Sequence, residues 1–183
     1  MHAPRRQALC SLLAWTPLAT WAQAAPEAPA EVRQAWPAAR LVGQGTMRYF
    51  GLRIYDARLW APEAVAAERY AQQPLALELV YARSLWGSAI AERSITEMRR
   101  QPGFDDTQAP RWLAAMKLAF PDVQAGERLV GLHDGQGRVR FWHNGRLTQQ
   151  LDDRAYARLF FGIWLAPQTS AAELRASLLG LPG

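Results

Sequence analysis

The sequence predicts an α+β fold, an antiparallel β-sheet with a helical layer on one face. Three observations carry that reading. Alternating or continuous apolar runs with strand spacing fill residues 41–60, 75–83 and 128–151. Helical periodicity is confined to residues 87–101, 109–119 and two segments after residue 152. The strands are joined by short turns at Gly51, at Asp134-Gly135-Gln136-Gly137 and at Asn144-Gly145, which suit antiparallel neighbours. With 183 residues, half of them hydrophobic, the chain is long enough for one domain with a sizeable core.

Residues 41–50 form the first expected strand, with Gly43 and Gly45 thinning one face. Residues 52–60 form the second, with Leu52, Ile54 and Asp56 on one side and Arg53, Tyr55, Ala57 and Leu59 on the other. Alanine-rich residues 62–73 are a short helix or a loop. Residues 75–83 form a third strand, with Leu75, Leu77, Leu79 and Tyr81 on one face. The period then changes: Ile90, Ser94, Ile95 and Met98 share a helical face, and Pro102-Gly103 ends that helix. A second helix over 109–119 carries Trp112, Leu113 and Met116 on its stripe, with Pro110 in its first turn.

A three-strand meander follows at 128–133, 138–143 and 146–151, its second turn being the strong hairpin dipeptide Asn144-Gly145. Asp152 or Asp153 caps the next helix, whose apolar face is Tyr156, Leu159, Phe160 and Ile163. Ser170-Ala171-Ala172-Glu173 fits a capping box before Leu174 and Leu178, and Gly180 ends that last helix.

Residues 1–24 read as an export signal. Arg5 and Arg6 precede a broken apolar run, and Ala22-Gln23-Ala24 is a small-x-small cleavage site. The run is too short for a bilayer-spanning helix of ~20 residues, so no membrane span is expected after processing. The expected organisation is a signal at 1–24, a loosely held Pro/Ala-rich leader at 25–37 and one domain over 38–183, with periplasmic or secreted localisation. Cleavage after Ala24 removes Cys10, the sole cysteine, which excludes thiol catalysis and cysteine-ligated metals. It also leaves 19 basic residues against 16 acidic ones, and Lys117 is the only lysine. Scattered arginines without a basic stripe argue against a nucleic-acid partner.

Chemistry-bearing motifs are sparse. The sequence holds no P-loop, dinucleotide fingerprint, nucleophile elbow or His-Glu-x-x-His. If the 134–137 turn sets the register, His133 pairs with Arg138 and His143 with Arg128. The two are then five rungs or ~17 Å apart, unsuited to sharing a metal, and both read as hairpin-end residues on a solvated sheet. No metal and no cofactor is expected. The arginines Arg48, Arg53 and Arg58 are more informative, because an inward-pointing guanidinium on a sheet must find an anion or a carbonyl.

The ordered segments Leu41-Val42-Gly43-Gln44-Gly45-Thr46-Met47-Arg48, Arg53 to Trp60, Ile90 to Met98, Phe141-Trp142-His143-Asn144-Gly145 and Phe160 to Leu165 resemble the chalcone isomerase-like family, in its bacterial exported branch. The resemblance covers residues 38–180. It implies an open-faced β-sandwich with a cleft between sheet and helices. In the plant enzyme an arginine steadies the nucleophilic oxygen while hydroxyl side chains organise water about the ketone; in non-catalytic relatives the arginine meets a fatty-acid carboxylate. The resemblance places that arginine at Arg48. With Gly87 as anchor, the enzyme's tyrosine falls at Ile90, its lysine at Arg93 and its asparagine at Glu97; its strand threonine falls near Arg53 or Ile54.

Ile90 cannot hydrogen-bond a ketone, so chalcone isomerase activity and catalytic residues are not expected. The expectation is a non-catalytic protein that binds a small apolar or fatty-acid-like anionic ligand through Arg48, Tyr55 and Arg93. An isomerase or lyase acting on an enone or phenol, and a protein-interaction module, are the alternatives.

Overall fold

A computed structural model describes residues 26–181. The export-signal reading of residues 1–24 lies outside the described residues. Six strands, β1 (Arg40–Tyr49), β2 (Leu52–Ala61), β3 (Pro74–Tyr81), β4 (Arg128–Asp134), β5 (Arg138–His143) and β6 (Arg146–Asp152), form one sheet in the order β1-β2-β3-β4-β5-β6. Every neighbouring pair is antiparallel. The helices are α1 (Ala30–Ala35), α2 (Gly87–Met98), α3 (Ala109–Ala119), α4 (Arg154–Leu165) and α5 (Ala172–Leu179). The alanine-rich stretch resolves into loop and a 3-10 turn at Tyr70–Gln72.

Alternation on the strands builds two cores. Leu59, Leu75, Leu77, Leu129, Val139 and Phe141 face α2 to α5 and make the main core with Met98, Trp112, Tyr156 and Phe161. The intervening Trp60, Ala76, Val130, Leu132 and Trp142 point the other way.

That second face is where the expected loose leader is corrected. Its residues Ala30–Ala35 fold into α1, and Val32, wholly buried, packs on Trp60 and its neighbours. The apolar outer residues of β2 to β5 needed a cover, and α1 supplies it. Glu31 on α1, almost wholly buried, accepts from the Arg128 guanidinium at 3.2 Å. Buried Glu78 on β3 accepts from Trp60 Nε1 at 3.0 Å and lies 3.4 Å from Arg58. The sheet is therefore covered on both faces, unequally.

Two close approaches fix the main layer. A Cβ on Gly43 would meet the backbone carbonyls of Ser177 and Leu178, and one on Gly45 would meet Leu174. These glycines let α5 lie directly on β1. Asp153 caps α4 by accepting from the Tyr156 N–H at 3.0 Å. The capping box expected for α5 does not form. Its N-cap is Ala171, and the Thr169 hydroxyl accepts the Ala171 N–H instead.

The histidine reading is also corrected. The loop between β4 and β5 has three residues, so His133 pairs with Val139 and Leu129 with His143. Its face is set by alternation along β4, which puts His133 with Leu129 and Gly131 on the helical face, where it is buried and stacked on Phe161 at 5.6 Å. Among the described residues, no helix is long and apolar enough to cross a membrane.

Candidate functional site

Sheet, α2, α4 and the segment entering α5 enclose a cavity of about 320 Å³. Its floor is apolar, formed by Leu77, Leu79 and Phe141 from the strands with Phe160 and Ile163 from α4. Tyr49, Ala89, Arg93 and Ser170 line it yet stay exposed, so they mark its mouth. The cavity exists because Ile90, Ser94 and Glu97 of α2 face β2 and β3 without filling the space.

The polar groups form one linked corner. Arg93 and Glu97, one helical turn apart, are 2.6 Å from one another. The Glu97 carboxylate is almost wholly buried, and its second oxygen lies 3.7 Å from Arg100. The Arg93 guanidinium also lies over the Tyr49 ring, 5.8 Å from its centroid. Tyr55 on β2 accepts a hydrogen bond from Trp164 Nε1 at 3.0 Å, and its ring meets Tyr81 edge-on at 5.7 Å.

Burial pushes the Tyr55 hydroxyl up to about 12; the Trp164 hydrogen bond opposes that shift, and the Glu97 charge adds to it. Burial drives Tyr81 higher still. Both phenols are therefore neutral donors across the physiological range. Ser94 donates to the Ile90 carbonyl at 2.8 Å.

Of the three residues expected to bind ligand, Tyr55 and Arg93 line this cavity and Arg48 does not. Met47 and Tyr49 line it, and Arg48 between them is exposed and donates to the Gly51 carbonyl at 3.3 Å. The reason is strand parity. Gly43, Gly45, Met47 and Tyr49 share the helical face, which leaves Arg48 with Gln44 and Thr46 on the other. A bulge adds to this, since Met47 pairs with Tyr55 and Arg48 with Arg53, leaving Ile54 over to turn into the cavity.

Arg53 pairs with Asp56, which also accepts from Thr46 at 2.7 Å. The positions matched to the plant enzyme's helix, Ile90, Arg93 and Glu97, all line the cavity. Sequence reasoning missed Glu97 and Trp164 as site residues. Glu97 was legible as the i+4 neighbour of Arg93, whereas Trp164 carries no local signal, because it reaches Tyr55 only through the packing of α4.

A family model described as chalcone isomerase-like matches residues 24–180. An uncharacterized protein of Haemophilus influenzae is 28% identical over 142 residues, covering 76% of this chain and 67% of that protein. The crystal structure of the Arabidopsis thaliana fatty-acid binding protein AtFAP1 superposes with a TM-score of 0.59 at 12% identity, covering 78% of this chain and 87% of that one. That likeness concerns the fold: an open antiparallel sheet with a helical layer beside it. The match over nearly all the described residues, on a sheet with this order and cavity, places the chain in the chalcone isomerase-like family.

Proposed function

We propose that the protein is a non-catalytic binder of a small, mostly apolar ligand held in the cavity between sheet and helices. One observation carries the reading. The cavity of about 320 Å³ is apolar along its floor and gathers its polar side chains at one corner, the division expected for an amphipathic guest. The fold neighbour that binds fatty acids supports it. Arg93 and the Tyr55 hydroxyl are the groups to meet the ligand's head, a carboxylate or a neutral oxygen.

Binding is favoured over turnover because the corner's groups are committed to one another. Arg93 is held by Glu97, and Ser94 is bonded to its own helix. Tyr55 is pushed to about 12, away from the range useful for proton transfer near neutrality. The segment 1–24 would carry the chain out of the cytoplasm, giving a periplasmic or secreted protein whose amino terminus follows Ala24.

Native mass spectrometry of protein purified without detergent, with solvent extraction, tests the binding reading. A copurified amphiphile lost in Leu79→Trp, which fills the cavity, is the expected result. Binding unchanged by that substitution, or no amphiphile bound even after incubation with dodecanoate or dodecanol, would overturn it. The intact mass of the exported form tests the cleavage site.

A further inference from the structure

Two tight turns in this molecule have the same backbone geometry and different chemistry. At the β5–β6 turn Asn144 and Gly145 have φ of 48° and 83°. At the β1–β2 turn Phe50 and Gly51 have φ of 47° and 77°. Asn-Gly suits two successive positive φ angles, whereas a phenylalanine there is strained. Phe50 recovers little from packing: it is 88% exposed and touches the Tyr49 ring edge-on.

The second anomaly is at the start of α2. Its N-cap is Trp86, with no side-chain cap and 74% exposure, where a short polar residue is preferred. The Gly87 N–H is bonded by Asp122 instead. Two positions whose local geometry asks for a polar residue therefore carry the two most exposed large apolar side chains among the described residues.

Both lie at one end of the sheet. Arg48 pairs with Arg53 beside the β1–β2 turn, and the Ala82 N–H donates to the Ile54 carbonyl, so the chain leaving β3 toward Trp86 passes next to that hairpin. The same end carries half-exposed Leu52 and the cavity mouth at Tyr49 and Arg93. It also has a slight excess of arginine, Arg48, Arg53, Arg83 and Arg93 lying there with Asp56, Glu97 and Asp122, the last beside Trp86. Arg53 and Arg93 have carboxylate partners, whereas Arg48 and Arg83 have none among the described residues.

We propose that this end of the molecule docks on an anionic lipid bilayer, with Phe50 and Trp86 set at the headgroup–acyl boundary. Exposed aromatics ringed by arginines match that boundary, where amphipathic rings settle and cations meet lipid phosphate. A protein partner would explain the aromatics but not their union with unpaired guanidiniums around an apolar mouth. Docking would turn the mouth toward the membrane, so that a ligand passes between bilayer and cavity without crossing water; this consequence rests on the binding function proposed above, and the docking itself does not.

The experiment is sedimentation of the purified protein with vesicles of phosphatidylcholine containing phosphatidylglycerol, against vesicles of phosphatidylcholine alone. The comparison is between wild type and Phe50→Asn/Trp86→Ser, with thermal midpoints recorded for the single and double variants. The expected result is binding that is stronger on the anionic vesicles, falls with salt and drops at least tenfold in the double variant. Phe50→Asn alone should melt no lower than wild type, since asparagine suits the turn. Absence of wild-type binding, equal binding by the double variant, or aromatic-dependent self-association on gel filtration without vesicle binding would overturn the proposal. Vesicle binding by protein that never carries an amphiphile would uphold docking and sink the ligand-binding function; a retained amphiphile without vesicle binding would do the reverse.

Discussion

The indole N–H of Trp164 donates to the hydroxyl of Tyr55 at 3.0 Å, joining two residues 109 positions apart. Among the described residues it is the one direct hydrogen bond that ties α4 to β2 at the polar corner of the cavity. Tyr55→Phe leaves the indole donor without its acceptor, an expected loss of about 1–3 kcal/mol in chemical denaturation. Ionisation adds a second signature. Because the folded hydroxyl titrates near 12 and the unfolded one near 10, its contribution is intact below about pH 10 and disappears as pH rises through 12. The alkaline fall in stability between those limits should be shallower in Tyr55→Phe. An identical alkaline limb in both proteins would refute this assignment.

His133 has a mirror-image dependence. Burial lowers its pKa, with Asp134 opposing, and neither ring nitrogen has a partner among the described residues. A histidine depressed on folding supports the native state above its unfolded pKa of about 6.5 and withdraws that support as pH falls through the folded value. His133→Phe keeps the stack on Phe161 and removes the titration. Between pH 7 and pH 5 the wild type should lose more stability than this variant in urea unfolding, and equal losses would contradict the buried neutral imidazole.

Gly43 is the tightest point between β1 and α5, since an added methyl meets backbone carbonyls that cannot rotate away. Gly43→Ala should cost about 3 kcal/mol, and Gly45→Ala less, because its nearest obstacle is the movable end of Leu174. Thermal unfolding of the two variants checks the order, and a reversed order would contradict the packing described.

Glu78 holds together the outer face, receiving Trp60 and lying near both Arg58 and Arg128. Glu78→Gln should destabilise by about 2 kcal/mol. That is below the ~3–5 kcal/mol of a fully buried pair, because the guanidiniums still reach solvent. Trp60 fluorescence is masked by the other tryptophans of the domain, so denaturant midpoints are the measurement.

The fold was legible in the sequence because its strands alternate and its turns are short. The helix over Ala109–Ala119 and the strand over Arg138–His143 coincide with expectation to the residue. Helix α1 was missed because six residues of Pro/Ala-rich chain have no period of their own; only the apolar outer positions Trp60, Val130 and Trp142 signal that something must cover them. Arg48 was misplaced for a subtler reason. The glycines that thin β1 already fix its parity: if Gly43 and Gly45 face the helices, Met47 and Tyr49 do too, and Arg48 cannot. His133 lies inward because it shares parity with Leu129 and Gly131 on β4, while Val130 and Leu132 face the other way. Of the cavity, Tyr55 and Arg93 were found and Glu97 and Trp164 were not, since partners reached across layers leave no mark on local spacing.

The contact between Gly43 and α5 also bears on how the chain matures. Each strand finds its neighbour in sequence order, so the sheet can grow as the polypeptide lengthens. Helix α5, the last of the described elements, rests on β1, the first of the described strands. Until residues 172–179 have been synthesised, the face of β1 that carries its glycines stays bare beside its finished partner. The lining of the cavity on this side stops at Ser170 and Ala171, so what a chain clipped before residue 172 loses is the cover of β1 rather than a wall of the cavity.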